Sequence, residues 1–297
     1  MKNNDPIILN CFSRGGSNIL WNILLTHPDA CSPIEETLQI FRFDIRAPRW
    51  SGLQAILRTR QPRFFDQWYL APRRPISVAA QSYIDSTLFD WKMKTAQDDE
   101  MRYKAEGVLY TPEEVAAARL VLKNNNGLTF LANTFRTMYP GATFLALVRD
   151  PLPLYESHKR HKTPVSASPE IFAAFYNAMI VHMLAQTAGH SDSHLLRFED
   201  VLADPLDTAH QVYAWCGLDI NKVTKLRFKA KSYTRADGSH RTNYQEGRHY
   251  WFAFNELDAM LDPEVNQHQV SKLSPAEAQR LRALTREACQ SLGYPLT

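Results

Sequence analysis

The sequence predicts an α/β fold, a three-layer arrangement in which a mostly parallel sheet is flanked by helices. Short apolar runs such as Ile7–Cys11 and Thr143–Val148 read as buried strands. Stretches with apolar residues three and four apart follow them, and the two kinds of segment alternate along the chain, as parallel strands joined by crossover helices require. A chain of 297 residues is within reach of one α/β core with insertions, so residues 1–297 are expected to form a single domain.

Composition narrows the class. With 44% hydrophobic and 22% charged residues, the chain fits a soluble globular protein with a sizeable core. A net charge of +3 is too small to imply a nucleic-acid surface, although a local basic cluster can still attract an anionic ligand. The start, Met1 to Pro6, leads into an apolar run of only Ile7 to Phe12, too short for a signal peptide or a membrane span, and a cytoplasmic location is expected. Cys11, Cys31, Cys216 and Cys289 form no CxxC pair and have no histidine at metal-ligand spacing, so they read as reduced structural thiols and no metal is expected.

In chain order, the strand Ile7–Cys11 closes in the small polar loop Phe12–Ser17. Ile19, Leu20, Ile23 and Leu24 then recur at helical spacing, with Ser17 or Asn18 as the cap and His27-Pro28 as the stop. Residues 46–105, with prolines at 48, 62, 72 and 75, read as an irregular, partly helical insertion that shapes an acceptor pocket. Its arginines 58, 60, 63, 73 and 74 read first as a solvated basic face. Pro112-Glu113-Glu114 opens a helix expected to run towards Leu122, and Leu128 to Met138 is a second helical stretch. After the strand Thr143–Val148 come a helix from about Pro169 to Ala188, a strand His194–Phe198, and a helix from about Pro205 to Cys216. Lys229 to Gln245 is polar and reads as a loop. Ser274-Pro275-Ala276-Glu277 opens the last helix with a cap, a proline in the first turn and an acidic residue, and that helix ends near Leu292-Gly293.

Two segments carry chemistry. A buried strand entering a small-residue loop and then a helix makes an anion site, because loop N–H groups and the helix's positive end converge. Gly15 and Gly16 allow close approach, and Arg14 stands where a nucleoside-triphosphate P-loop would differ, with its GxxxxGK spacing and lysine. Arg149-Asp150-Pro151, with Ser157 further on, lies at the carboxyl end of a buried strand, where ligands of open α/β sheets bind. Arg149 can pair with a phosphate bidentately, or form a salt bridge with Asp150 or a neighbouring helix.

Together these segments resemble the sulfotransferase family. Ser13-Arg14-Gly15-Gly16-Ser17-Asn18-Ile19-Leu20 with His27-Pro28-Asp29 is similar to the family's 5′-phosphosulfate loop, and Leu147-Val148-Arg149-Asp150-Pro151 with Ser157 to its 3′-phosphate motif. Leu196-Arg197-Phe198-Glu199-Asp200-Val201 with Asp204-Pro205, and the ending Leu273-Ser274-Pro275 to Leu292-Gly293-Tyr294, match in order and spacing. Glu35-Glu36-Thr37 resembles an element of protein-tyrosine sulfotransferases and their bacterial relatives. Phe198 stands where many relatives have tyrosine, Gly15 where they have serine, and Asn18 where they have a hydroxyl residue.

The resemblance implies a P-loop NTPase-like sulfotransferase fold and transfer of a sulfuryl group from PAPS (3′-phosphoadenosine 5′-phosphosulfate), leaving PAP. The recipient is a hydroxyl or amine of an unidentified acceptor. It also implies roles: Arg14, Lys123, Gly15, Gly16, Ser17 and Asn18 at the 5′-phosphosulfate, Arg149 and Ser157 at the 3′-phosphate, and Glu36, with Glu35 in reserve, as general base. A late basic segment, Ser239-His240-Arg241-Thr242-Asn243, is placed by position at the 3′-phosphate. The alternatives are a P-loop-type ATP-dependent kinase and a non-catalytic nucleotide-binding protein on the same fold.

Overall fold

The structure, a computed structural model, describes residues 1–41, 76–230, 245, 247–259 and 261–296. Its centre is a five-stranded parallel sheet in the order β2-β5-β1-β6-β7: β1 is Ile7–Cys11, β2 Ala30–Cys31, β5 Arg119–Asn125, β6 Thr143–Val148 and β7 Ser193–Arg197. β1 is the central strand, and its last residue, Cys11, lies between Asn125 of β5 and Leu147 of β6. The chain leaves β1 towards one edge, returns through β5, and crosses to the other side with β6. The carboxyl ends of β1, β5 and β6 therefore open onto one crevice, where such sheets bind ligands.

Alternation along β1 divides the core. Ile7, Leu9 and Cys11 pack with Leu145 and Leu147 under α1 (Ser17–Thr26), α8 (Phe198–Ala203) and α9 (Pro205–Trp215). Ile8 faces the other way, with Leu120, Leu122 and Phe144, under α2 (Leu38–Phe41), α3 (Val78–Met93) and α5 (Ala132–Met138). A third cluster joins Phe12, Ala146 and Val148 to α6 (Pro151–Arg160) and α7 (Pro169–Gly189), and to the closing helices α11 (Pro275–Leu284) and α12 (Arg286–Leu292). Among the described residues α7 is the one helix long and apolar enough to cross a membrane, but Phe172, Phe175, Tyr176, Met179 and Met183 bury its inner face in this core.

Several elements differ from the sequence expectation. The helix opened by Pro112 is α4, Pro112–Ala117, started by a reciprocal capping box at Thr111 and Glu114, and it stops before Leu122. The residues beyond it form β5, because Leu120, Val121 and Leu122 are all fully buried between two neighbouring strands, a demand only a doubly covered strand meets. Neither Ser17 nor Asn18 caps α1. Gly16 does, at φ 83°, with no side-chain cap hydrogen bond to the first-turn N–H groups. Two hairpins lie outside the expectation as well, β3 (Tyr103–Ala105) with β4 (Val108–Leu109) and β8 (Leu226–Lys229) with β9 (His249–Phe252). The final helical stretch divides at Thr285, and Ser274 forms the expected capping box with Glu277. The first half of the expected 46–105 insertion, with arginines 58, 60, 63, 73 and 74, lies outside the described residues, as do Ser239 and Arg241.

His158, on α6, is fully buried, with Nδ1 2.8 Å from the Thr163 hydroxyl, and burial pushes its pKa from 6.5 down to about 4. In that window the unfolded chain binds the proton and the fold does not, so stability rises with pH by about 1.4 kcal/mol per unit for such a group. His249, also pushed down to about 4 chiefly by burial, adds a second such group. Urea midpoints are expected to fall from pH 7 to pH 5, and less steeply in His158→Gln. An unchanged slope in that variant removes His158 as a source of the effect.

Candidate active site

Above the carboxyl ends of β1, β5 and β6 lies a cleft of about 750 Å³, lined by the β1–α1 loop, the end of β5, and Arg149 and Ser157. The loop that forms its floor is held at several points. Ser13 donates its N–H to Asn126 Oδ1 at 2.8 Å and its Oγ accepts from Asn126 Nδ2 at 2.9 Å, while Gly15 N–H bonds back to the Phe12 carbonyl at 3.1 Å. Arg14 is in the left-handed region at φ 64°. Arg149 Nη1 donates to the Arg14 carbonyl at 2.9 Å, joining the two segments read from the sequence. A methyl group at Gly16 would stand 2.0 Å from the Phe198 ring, and that same ring lies under the Arg149 guanidinium, 4.6 Å from its centre.

At one end of the cleft Lys123, 7% exposed, points its Nζ at Asn18 Oδ1 (3.1 Å) and Glu36 Oε1 (2.6 Å), and lies over the Trp21 ring. Asn125 joins this group, donating Nδ2 to Glu36 Oε2 at 3.3 Å and accepting from the Cys11 thiol at 3.0 Å. Burial pushes the Cys11 pKa up to about 12, so it serves as a neutral hydrogen-bond donor. Glu36 lines the cleft, and its neighbour Glu35 does not.

At the other end Arg149 is buried and its pKa is drawn down to about 10, mainly by desolvation. Its Nε and Nη2 reach Asn266 Oδ1 at 3.0 and 2.5 Å, and Nη2 reaches Gln269 Oε1 at 2.7 Å, both on α10 (Val265–Val270). The salt bridge considered between Arg149 and Asp150 does not form: Asp150 caps α6 at Leu152 N–H and pairs with Arg282 at 2.7 Å. Arg14 sends its side chain to this end, with Nε 3.4 Å from Ser157 Oγ and Nη2 2.5 Å from His161 Nε2. That bond needs a neutral imidazole, and burial together with Arg14 and Arg160 lowers the His161 pKa.

The residues named from the sequence thus fall into two groups in one cleft. Asn18, Lys123 and Glu36 meet at one end, Arg14, Arg149 and Ser157 at the other, and Gly16 and Ser17 line the floor. Gly15 is buried beneath that floor, where a methyl group would press on Phe12 at 3.0 Å. Sequence reasoning missed Asn125, which follows Lys123 at strand spacing, and Arg160, one helical turn past Ser157. It also missed the apolar wall of Ile19, Leu202, Phe228 and Leu261, and the amides of α10, for which a polar six-residue helix carries no sequence signal.

Solved structures share this architecture. The sulfotransferase domain of the Synechococcus PCC 7002 olefin synthase superposes with a TM-score of 0.56 at 18% identity, covering 100% of this chain and 98% of that one. The sulfotransferase domain of the curacin biosynthetic pathway gives 0.52 at 16% identity, covering 99% and 100%. At such identities the likeness shows the fold alone. No curated protein matches the chain in sequence. The sequence profile of the sulfotransferase family, however, matches residues 6–222, which include the β1–α1 loop, Lys123 and the Arg149 motif, and by that match the chain belongs to the sulfotransferase family.

Proposed function

We propose that this sulfotransferase uses PAPS as its donor and releases PAP, acting on a hydroxyl or amine of its acceptor. The observation that carries the reading is the convergence of two basic anchors in one cleft, tied at 2.9 Å by the bond from Arg149 to the Arg14 carbonyl. Arg149, Ser157 and the Arg14 side chain suit the 3′-phosphate. The wall of Ile19, Leu202 and Phe228 suits an adenine, and the open first turn of α1 with Lys123 suits the 5′-phosphosulfate. Arg14, assigned from sequence to the transferring end, lies instead against Ser157 in this conformation.

Sulfuryl transfer resembles phosphoryl transfer, with attack and departure in line and charge growing on the leaving oxygen. Glu36 takes the proton of the acceptor, the acceptor atom bonds to sulfur as the bond from sulfur to the phosphate oxygen breaks, and Lys123 with the α1 N–H groups holds the charge left on the phosphate. The P-loop kinase alternative has no loop lysine to support it. The chain is further read as a single domain, since α11 and α12 complete the core around α7, and as cytoplasmic, in keeping with four buried free cysteines.

Calorimetry with PAP in magnesium-free buffer is expected to show binding, and a labelled-donor assay to show transfer. Failure of PAP to bind would end the donor assignment. Glu36→Gln should lower kcat by about 10²–10⁴-fold while leaving PAP affinity unchanged, as loss of a general base does; a PAP affinity that falls in step with kcat would place Glu36 in donor binding. Ser157→Ala should weaken PAP by about tenfold or more and leave 5′-AMP unaffected, the cost of one hydrogen bond to a charged group. Equal losses for both nucleotides would remove Ser157 from the 3′-phosphate site.

A further inference from the structure

Arginine carries five N–H donors, and among the described residues the hydrogen-bond partners of the Arg149 guanidinium are all neutral: Asn266 Oδ1, Gln269 Oε1 and the Arg14 carbonyl. The group is 3% exposed, an environment in which a basic side chain ordinarily takes a carboxylate partner. A carboxylate is near but held off. Glu199 accepts from Asn266 Nδ2 at 2.8 Å, from Tyr294 Oη at 2.8 Å and from the Asp150 N–H at 3.1 Å, so an amide stands between its charge and Arg149. Asp150 is turned to Arg282.

We propose that Asn266 and Gln269 are positioning residues for the 3′-phosphate of the donor: neutral amides on α10 that aim the Arg149 guanidinium without neutralising it. This rests on the donor reading given above. A carboxylate at either position would hold the guanidinium at least as firmly, but it would compete with the phosphate for the same donors and cancel the field that attracts it. An amide offers the same acceptor geometry with weaker bonds, which an incoming anion can displace. Phe198, stacked on the guanidinium 4.6 Å away, adds a second neutral support.

Gln269→Glu keeps the shape and the acceptor oxygen and adds only charge, 2.7 Å from Nη2, whereas Gln269→Ala removes the acceptor and adds none. Affinities for PAP and 5′-AMP are measured by calorimetry on the full chain, with thermal melting to establish that both variants fold. The expected result is a loss of about tenfold or more in PAP affinity for Gln269→Glu, a loss of about threefold or less for Gln269→Ala, and unchanged 5′-AMP binding in both. A residue with a purely structural role gives the opposite order, since the glutamate preserves the contact that alanine deletes. Gln269→Ala losing as much as Gln269→Glu, or 5′-AMP weakening in step with PAP, overturns the proposal. A wild-type chain that binds 5′-AMP as tightly as PAP instead overturns the 3′-phosphate reading on which it rests.

Discussion

The hydrogen bond from Arg149 Nη1 to the carbonyl oxygen of Arg14 is the constraint on which the site depends. It ties the end of β6 to the loop after β1 and stabilises a backbone that a non-glycine residue rarely adopts. A left-handed residue of this kind costs of order 1–3 kcal/mol, and a hydrogen bond from a charged group returns about 1.5–3 kcal/mol. The strain and its restraint are thus of similar size, and the Asn126 clamp on Ser13 supplies the rest. Two residues on, Gly16 begins α1 with no side-chain cap hydrogen bond at the helix's positive end.

Charge is distributed unequally along the cleft. At one end Lys123 and Glu36 form a close ion pair, fixed from below by Asn18 and, through Asn125, by a buried thiol that stays protonated. At the other, Arg149 is supported by amides, a carbonyl and an aromatic face. The first arrangement places a carboxylate beside a fixed cation, the pairing that the proposed function uses for proton removal coupled to charge growth on a leaving group. The second keeps a cation ready for an anion. One sheet supports both, because β1, β5 and β6 end side by side in register.

How much of this is legible in the sequence follows from which physical signals are local. β1 and β6 are readable because β-branched apolar runs bounded by small polar residues have few other uses. β5 is not: Leu120, Val121 and Leu122 continue an alanine-rich helix without a break, and only the neighbours β1 and β2 decide that they are extended. The anchors Arg14 and Arg149 are legible as residues of the right type at the ends of strands, but their contact is a matter of sheet order, which no local pattern encodes. The cap at Gly16 escapes a reading that favours Ser17 or Asn18, because side-chain preference points to those residues and backbone handedness to the glycine. Asn266 and Gln269 carry no local signal at all, and only the packing of α10 against α6 brings them to Arg149.

The fit of Gly16 against Phe198 makes two distant stretches of chain sterically dependent on each other. No side chain can be accommodated at position 16 while the ring occupies position 198, and a smaller residue at 198 would strip the stacking surface from Arg149. The bare glycine backbone at 16 and the flat ring at 198 are thus two halves of one fit, and a change that disturbs either half reaches the support beneath Arg149.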